Sequence, residues 1–514
     1  MPNSLIERYF QTKDPAAIPP GFLAYLANLE CVCEVAPEVA RSIVQELVDQ
    51  RSNVKLIASE NYSSLATQCA MGNLLTDKYA EGIPHHRFYA GCDNVDAIED
   101  LANARARELF GAAHAYAQPR SGADANLVAF WAVLRARVEL DTIAKLTGAE
   151  GPDALAPGDW YKLTADQWRS VRQALGNQRL LGMDLASGGH LTHGYRLNAS
   201  GKMFESHGYT VDRQTGLLDY DAIERQALEV QPLILLAGFS AYPRNINYAR
   251  MRAIADRVGA VLMVDMAHFA GLVAGKVLCD EFNPIPFAHI VTTTTHKTLR
   301  GPRGGLVLCT PELQDAVDRG CPLVLGGPLP HVMAAKAVAF TEALRPEFAG
   351  YARKIVENAR ALAEAFLRQG LHVVTGGTDN HLMVVDVAAT HGITGRQAED
   401  AVRRCGITLN RNPIPFDPNG PWYTSGLRFG TPAVTTLGMG PAEMTEIAAV
   451  VALVLKNIQP ATTRSGARDK SKYTLEETIR DQARARVDDL LRSYPVYPEI
   501  DLPFLLDSLG LKRS

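Results

Sequence analysis

The sequence predicts a large α/β domain with a mostly parallel sheet, followed by a smaller α+β domain. Between about residues 51 and 345, short apolar runs alternate with amphipathic helical segments, which is the order of a doubly wound fold. A length of 514 residues also exceeds what one ordinary core holds. Four of the runs are rich in Val, Ile and Leu without polar alternation, as strands buried on both faces are, at 233–239, 261–265, 289–293 and 305–308.

Residues 1–50 are predicted to form an N-terminal arm of loops and helices. A Pro-Pro-Gly breaker at 19–21 precedes a stretch at 36–50 with helical apolar spacing. Within the large domain, residues from about 136 to 178 have poor strand character and contain several breakers with Gly and Pro. This segment is predicted to be an inserted excursion of loops and helices.

Residues 346–514 are predicted to form the smaller C-terminal domain. A polar segment at 459–474 is expected to be a surface loop. The other predicted elements are a helix at 351–369, strands at 373–375 and 381–387, and a helix that starts at Gly395.

The composition narrows the class of protein. A net charge of −4 and a pI near 6.4 give no sign of a nucleic-acid or membrane partner. The apolar run at 447–455 is too short to span a bilayer and fits a buried helix. The N-terminus lacks a basic region followed by an apolar one, so no secretory signal is expected. The cysteines are scattered without zinc-site spacing, which predicts reduced thiols, no metal site and a cytoplasmic protein.

One lysine follows directly after a predicted buried strand. The stretch 291–305 reads VTTTTHKTLRGPRGG, so Lys297 lies between that strand and a glycine-rich turn. Most lysines are solvated, and this position is a poor one for a surface lysine. A lysine that forms a Schiff base needs a partly desolvated amine, which this context supplies.

A carboxylate ends a second predicted strand. Asp265 closes the run at 260–265, and His268 follows three residues later. The C-terminal edge of a parallel sheet is where ligands bind. Alone, Asp265 could equally cap a helix. Paired with Lys297 it predicts pyridoxal phosphate, whose pyridine nitrogen needs an anionic partner.

A third element could bind a phosphate. Ser121 and Gly122 open a predicted apolar helix, whose first backbone N–H groups and dipole favour an anion. An ordinary N-cap explains the same residues, so the motif is weak by itself.

These three blocks in this order resemble the serine hydroxymethyltransferase family of fold-type I pyridoxal-phosphate transferases, in its bacterial type with an insert and extended termini. The resemblance covers about residues 36–497. Further matching blocks are LIASEN at 56–61, KYAEG at 78–82, GGHLTHG at 188–194, GFSAY at 238–242, GGTDNH at 376–381 and TSGLRFGTP at 424–432.

The resemblance implies an enzyme that interconverts L-serine and tetrahydrofolate with glycine and 5,10-methylenetetrahydrofolate. Lys297 would carry the cofactor, Asp265 would pair with its pyridine nitrogen, and His190 would stack on its ring. Ser121, Gly122, Ser240 and His268 would complete cofactor binding. Glu81 would transfer a proton, and Arg428 would bind the amino-acid carboxylate. Four further residues would surround the substrate, namely Ser59, Tyr79, Tyr89 and His296. The folate would be bound by Leu185, Gly189, Leu191, Asn412, Gly420, Pro421 and Trp422.

The resemblance also implies an obligate homodimer, with pairing into a tetramer as an alternative. Tyr79, Glu81, Tyr89 and the backbone of Gly326 and Gly327 would come from the partner chain.

Phe88, Ala123 and Leu325 depart from the usual pattern of the family, as does the stretch IPHH at 83–86. They leave open a close rival, an aldolase or racemase of the same fold that works mainly without folate. A non-catalytic scaffold or RNA-binding relative is the alternative of a different class. The intact Lys297 and Asp265 argue against it.

Overall fold

The computed structural model describes residues 4–156, 158–464 and 466–511. Its large domain is built on a seven-stranded sheet. The strand Gly305–Cys309 runs antiparallel to both of its neighbours, and the other neighbouring pairs are parallel. The predicted fold class is confirmed. In spatial order the strands are His114–Tyr116, Gly305–Cys309, Ile290–Thr294, Val261–Asp265, Ile234–Gly238, Arg179–Met183 and Glu205–Tyr209.

Side chains on both faces of this sheet are buried, as the uniformly apolar strands predict. Along one strand Leu235 enters one core cluster, while Ile234 and Leu236 enter the cluster on the opposite face. Burying each such side chain stabilises the fold by roughly 1.5–3 kcal/mol. The helices of this domain are Leu65–Cys69, Asp93–Phe110, Gly122–Leu134, Leu140–Thr147, Ala165–Gly176, Ala199–Met203, Tyr220–Val230, Tyr248–Val258, Ala270–Ala274, Gln314–Asp318, Gly320–Leu323 and Pro330–Ala343.

The excursion predicted at about 136–178 consists of helices and turns. A π-helical turn at Arg135–Glu139 links the helix Gly122–Leu134 to the helix Leu140–Thr147. Ile143, Leu163 and Val171 form a small core of their own there. The segment is therefore packed on itself beside the sheet.

The N-terminal arm is more helical than predicted. Its helices Leu5–Phe10, Pro20–Val35 and Pro37–Ser52 share one apolar cluster with the C-terminal helix Leu502–Leu509. The Tyr9 hydroxyl also donates to Asp501 at 3.2 Å. Contacts between the two ends of the chain decide this packing.

The C-terminal part contains, within the described ranges, a four-stranded antiparallel sheet. Its strands in spatial order are His372–Val373, Leu382–Asp386, Gly426–Gly430 and Asn410–Asn412. A short strand, Val54–Lys55, pairs in parallel with Ile407–Thr408. The helices are Pro346–Arg368, Val387–His391, Gly395–Arg404, Gly420–Tyr423, Pro432–Thr436, Pro441–Asn457 and Glu477–Ser493. The run at 447–455 lies in a buried helix, as predicted.

The prediction of a loop at 459–474 is wrong. Gln459–Thr462 and Arg468–Thr474 pair as an antiparallel hairpin. Gln397 donates from Nε2 to the carbonyls of Asp469 and Lys472, each at 2.8 Å, and holds the hairpin against the domain. Backbone pairing and these bonds stabilise the hairpin. Its mostly polar sequence lacks the apolar pattern from which strands are predicted, so the prediction missed it. A second small ribbon joins Gly82–Ile83 to His86–Arg87.

None of the described helices is long and apolar enough to cross a membrane. No group of three or more His, Cys, Asp or Glu among the described residues is arranged to hold a metal ion.

Candidate active site

A cavity of about 410 Å³ opens at the C-terminal ends of the parallel strands, where the C-terminal domain meets the large domain. It is the position at which open α/β sheets bind ligands. Residues singled out in the sequence line much of its wall, namely Ser59, Ser121, Gly122, His190, Ser240, Asp265, His268, His296, Lys297 and Arg428.

Lys297 lies in the turn after the strand Ile290–Thr294. Burial lowers the pKa of its amine to about 8, against the attraction of Asp265. With that value, about a tenth of the amine is unprotonated at pH 7, far more than for an ordinary lysine. The amine is therefore activated as a nucleophile.

The hydroxyl-rich sequence around Lys297 fixes the turn. Thr294 donates to the carbonyl of Ala267 at 3.2 Å, and Thr298 donates to the carbonyl of His268 at 2.8 Å. These buried hydroxyls donate to loop carbonyls that have no hydrogen-bond partner in the sheet. The backbone around Lys297 is therefore held in place.

Asp265 is a buried anion surrounded by donors. Its Oδ2 accepts from Asn126 Nδ2 at 2.9 Å and lies 3.2 Å from His193 Nε2, and its Oδ1 accepts from the Ala267 N–H at 3.0 Å. Burial alone would raise the pKa of this carboxyl, but the His193 and Asn126 contacts hold it well below its usual range. The group is ionised at any physiological pH, as a pyridinium partner must be.

His190 is held next to this anion by a shared network. Its Nδ1 lies 2.7 Å from the Thr192 hydroxyl, which also accepts from Asn126 at 2.7 Å. Burial lowers the pKa of His190 to about 4, so the ring is neutral near pH 7. A neutral, oriented imidazole suits stacking on a flat aromatic ligand.

A buried histidine pair forms another wall. His268 Nδ1 and His381 Nε2 are 3.2 Å apart, with ring centroids at 5.4 Å. Burial, followed by the charges of Lys297 and Arg428, lowers the pKa of His268 well below its usual value. The pair is neutral and can place one N–H toward a ligand oxygen.

Arg428 reaches the cavity from the C-terminal domain. It lies on the strand Gly426–Gly430, donates from Nη1 to the carbonyl of Ser240 at 2.6 Å, and donates from Nε to Asn410 Oδ1 at 3.1 Å. Burial lowers its pKa to about 10, which leaves it charged near neutrality. The fork is held in place to bind a carboxylate with parallel hydrogen bonds.

The first turn of the helix Gly122–Leu134 faces the same cavity. Ser121 caps it by accepting from the Asp124 N–H at 3.1 Å, so the ordinary cap is present. A side chain at Gly122 would overlap the Thr294 methyl group, so glycine keeps the approach to these N–H groups open.

The residues present fit pyridoxal phosphate. An activated amine, a buried anion and a helix N-terminus meet one cavity, and they match the aldehyde, the ring nitrogen and the phosphate of that cofactor. The buried Nδ1 of His296 also has no hydrogen-bond partner among the described residues.

Other predicted site residues lie outside this cavity in the same chain. The Tyr79 hydroxyl donates to Glu81 at 3.4 Å, and the Tyr79 and Tyr89 rings are 4.9 Å apart. A Cβ added to Gly327 would lie 3.5 Å from the Tyr79 ring, whereas one at Gly326 would meet open space. Tyr79 is 57% exposed, so this cluster lies on the surface of the chain and not in the Lys297 cavity.

The residues predicted for the folate are also spread out. Leu185 lines a second cavity of about 300 Å³ that shares His190 with the first. Leu191 and Trp422 are exposed, and Arg396 stacks over the Trp422 ring at 5.5 Å. Of the remaining four, Gly420 and Pro421 begin the short helix Gly420–Tyr423, Asn412 ends the strand Asn410–Asn412, and Gly189 lies two residues after the helical turn Leu185–Ser187.

The sequence reasoning missed Asn126 and His193, which hold Asp265. Asn126 lies four residues after Gly122, hence one helical turn along the same face, and that spacing was a usable signal. The lining residue Arg303 was also missed, although it belongs to the glycine-rich turn after Lys297.

Fold and site together define a pyridoxal-phosphate enzyme of fold type I. A family model described as Serine hydroxymethyltransferase matches residues 32–152 and 169–451. A relative of that name from Treponema pallidum (strain Nichols) is 59% identical over 98% of this chain and 86% of its own length. Others, from Salinispora tropica and Chlamydia trachomatis serovar D, are 57% and 50% identical over 93% and 98% of the chain, and over 98% and 100% of their own lengths.

The chain belongs to the serine hydroxymethyltransferase family. This membership confirms the predicted family, its pyridoxal-phosphate cofactor and its co-substrate tetrahydrofolate, and the predicted function is that of the family.

Proposed function

We propose that this chain interconverts L-serine and tetrahydrofolate with glycine and 5,10-methylenetetrahydrofolate through the residues of the Lys297 cavity. The observation that carries the assignment is that Lys297, Asp265 and Arg428 meet one cavity. An amine, an anion and a guanidinium there suit a cofactor aldehyde, its ring nitrogen and the carboxylate of an amino acid.

Pyridoxal phosphate, when bound, supplies an aldehyde that captures amines and a protonated ring that accepts electrons. Lys297 would hold the cofactor through its amine. Asp265 would keep the ring nitrogen protonated, and His190 would lie against the ring face. Ser121, Gly122 and Ser240 would bind the phosphate side, and His268 would contact the ring oxygen.

Arg428 and Ser59 orient the amino acid. When the guanidinium fork holds the carboxylate, it fixes the rotation about the N–Cα bond of the amino acid. That rotation selects which bond at Cα is labile. His296, next to Lys297, completes this wall. The one-carbon unit would leave serine at the oxidation level of formaldehyde and bridge two nitrogens of tetrahydrofolate, with the serine oxygen lost as water. A proton delivered at Cα would yield glycine.

The one-carbon acceptor would lie against Leu185, Gly189, Leu191, Asn412 and the start of the helix at 420–422. We infer that the working unit is a cytoplasmic homodimer with shared sites. Tyr79, Glu81, Tyr89, Gly326 and Gly327 serve the partner's cavity, because their cluster lies outside the cavity of their own chain while Tyr79 and Tyr89 are exposed.

The test uses the holoenzyme, glycine and tetrahydrofolate. Glycine has no hydroxymethyl group to lose, so loss of its Cα proton should give an absorption band toward the red that rises strongly when tetrahydrofolate is present. No rise, with β-hydroxy amino acids or alanine still turning over, would favour the aldolase or racemase. If the protein shows no visible absorption band, or none that borohydride removes, it would be the non-catalytic scaffold.

Sharing of sites is tested by mixing two inactive variants, Lys297→Ala and Glu81→Gln. In a mixed dimer one site keeps both groups if the partner supplies Glu81. Random exchange of subunits should then restore about a quarter of the wild-type activity. No recovery after proven exchange would place Glu81 in the site of its own chain.

A further inference from the structure

Lys336 is a lysine in the interior of the large domain. It lies on the helix Pro330–Ala343, and only 1% of its surface is exposed. Its Nζ donates to three carbonyls, those of Ala117 at 2.5 Å, Pro119 at 2.8 Å and Gly305 at 2.8 Å. The three N–H groups of an ammonium are thus all used.

These acceptors belong to two segments that meet at the cofactor cavity. Ala117 and Pro119 lie on the segment that leads from the strand His114–Tyr116 to Ser121. Gly305 begins the strand that follows the Lys297 turn. Lys336 therefore fastens the approach to the phosphate-binding turn to the strand behind the reactive lysine.

The buried charge of Lys336 lacks a close counter-charge. No ion pair among the described residues includes it, and the acidic groups that attract it, Glu99 and Asp124, act from farther away. Burial lowers the pKa of Lys336 to about 7, so the fold holds this ammonium at a cost. An anion bound at Ser121 would offset that cost.

We propose that Lys336 is a positioning residue for the cofactor phosphate: it fixes the segment 117–121 against Gly305 and adds positive charge behind the cradle. The proposal rests on the pyridoxal-phosphate site described above. Lys336 acts through the backbone of the turn and does not touch the cofactor.

The test compares binding of pyridoxal phosphate and of pyridoxal, which lacks the phosphate, to cofactor-free protein. Lys336→Met removes the donors and keeps an unbranched side chain that is one atom shorter. We expect the affinity for pyridoxal phosphate to fall about ten- to a hundredfold and that for pyridoxal to fall far less. The ³¹P resonance of the holoenzyme should shift.

A second variant perturbs the same contact without removing the charge. Gly304 does not have a positive φ, so alanine suits its backbone, but the added methyl group would overlap Lys336 Cε. Gly304→Ala should shift the selectivity between the two ligands in the same direction. It keeps the proposal testable if Lys336→Met does not fold.

The matched control is Phe340→Leu, a buried change one turn along the same helix. It should lower the melting temperature and leave the ratio of the two affinities unchanged. Equal losses for both ligands in the Lys336 and Gly304 variants, or an unchanged ³¹P resonance with wild-type affinity, would overturn the proposal. Failure of wild-type protein to bind pyridoxal phosphate would instead overturn the proposed function.

Discussion

Asn126 donates to Oδ2 of Asp265 at 2.9 Å and accepts from the Thr292 hydroxyl at 2.5 Å. One amide therefore connects the helix Gly122–Leu134, the strand that ends in Asp265, and the strand that leads to Lys297. Since the same amide donates to Thr192, the orientation of His190 depends on it as well.

Replacing Asn126 with leucine should weaken cofactor binding and turnover by about ten- to a hundredfold, the effect of losing buried bonds worth roughly 1–3 kcal/mol. The measurement is the dissociation constant of pyridoxal phosphate together with kcat. Asn358→Leu is the control, because Asn358 is an equally buried amide that bonds Thr435 and Met439. If both variants lose only thermal stability, Asn126 has no role in the site.

Lys297→Ala should abolish the visible band and reduce turnover by more than about a thousandfold, because no amine remains to hold or exchange the cofactor. Absorption spectra and initial rates check this. Lys354→Gln, a change of an exposed lysine, should behave as wild type. A Lys297→Ala protein that keeps a borohydride-sensitive band would show that another lysine carries the cofactor.

The reactivity of Lys297 should rise with pH up to about 8 and then level off. Its pKa is about 8, and only the unprotonated amine attacks an aldehyde, so the rate grows tenfold per pH unit below that value. The rate of trapping an aromatic aldehyde on cofactor-free protein, mapped by mass spectrometry, gives this profile. Exposed Lys354 is the internal reference.

Two substitutions should move the midpoint of the pH profile of Lys297 in opposite directions. Asp265→Asn removes an anion that favours the ammonium, so the pKa of Lys297 should fall. Arg428→Gln removes a cation that opposes it, so the pKa should rise. Shifts of the same sign would mean that solvent access, and not charge, sets the reactivity.

Arg428→Lys should raise the KM for serine by about ten- to a hundredfold, since an ammonium cannot replace the two parallel bonds of the fork. Steady-state kinetics with serine, compared with serinol, which has no carboxylate, should show the loss for serine alone. Arg404→Lys changes an exposed ion pair with Asp400 and should have no effect. Equal losses for both substrates would assign Arg428 a structural role.

Gln397→Ala should loosen the hairpin of Gln459–Thr462 and Arg468–Thr474. Two bonds to its backbone carbonyls disappear, worth roughly 1–3 kcal/mol together. Hydrogen exchange of the described residues in 459–474 should speed up while exchange in the large sheet stays unchanged. Gln173→Ala, an exposed change, is the control.

The sequence by itself determined four of the seven strands of the central sheet, among them the strand that ends in Asp265 and the strand that leads to Lys297. The strand Val261–Asp265 was placed to the residue, and the other three predicted strands to within one residue at either end, because strands buried on both faces of a sheet are uniformly apolar. The division into domains at about residues 50 and 345 stays a prediction.

Only the tertiary structure decided which polar groups serve those strands. The bonds of Asn126 to Asp265, of Lys336 to Gly305 and of Gln397 to the hairpin join residues that are 31 or more positions apart. Local patterns record which side chains are apolar, whereas such a bond depends on how distant segments come to lie next to each other. The end-to-end packing of the terminal helices was hidden for the same reason.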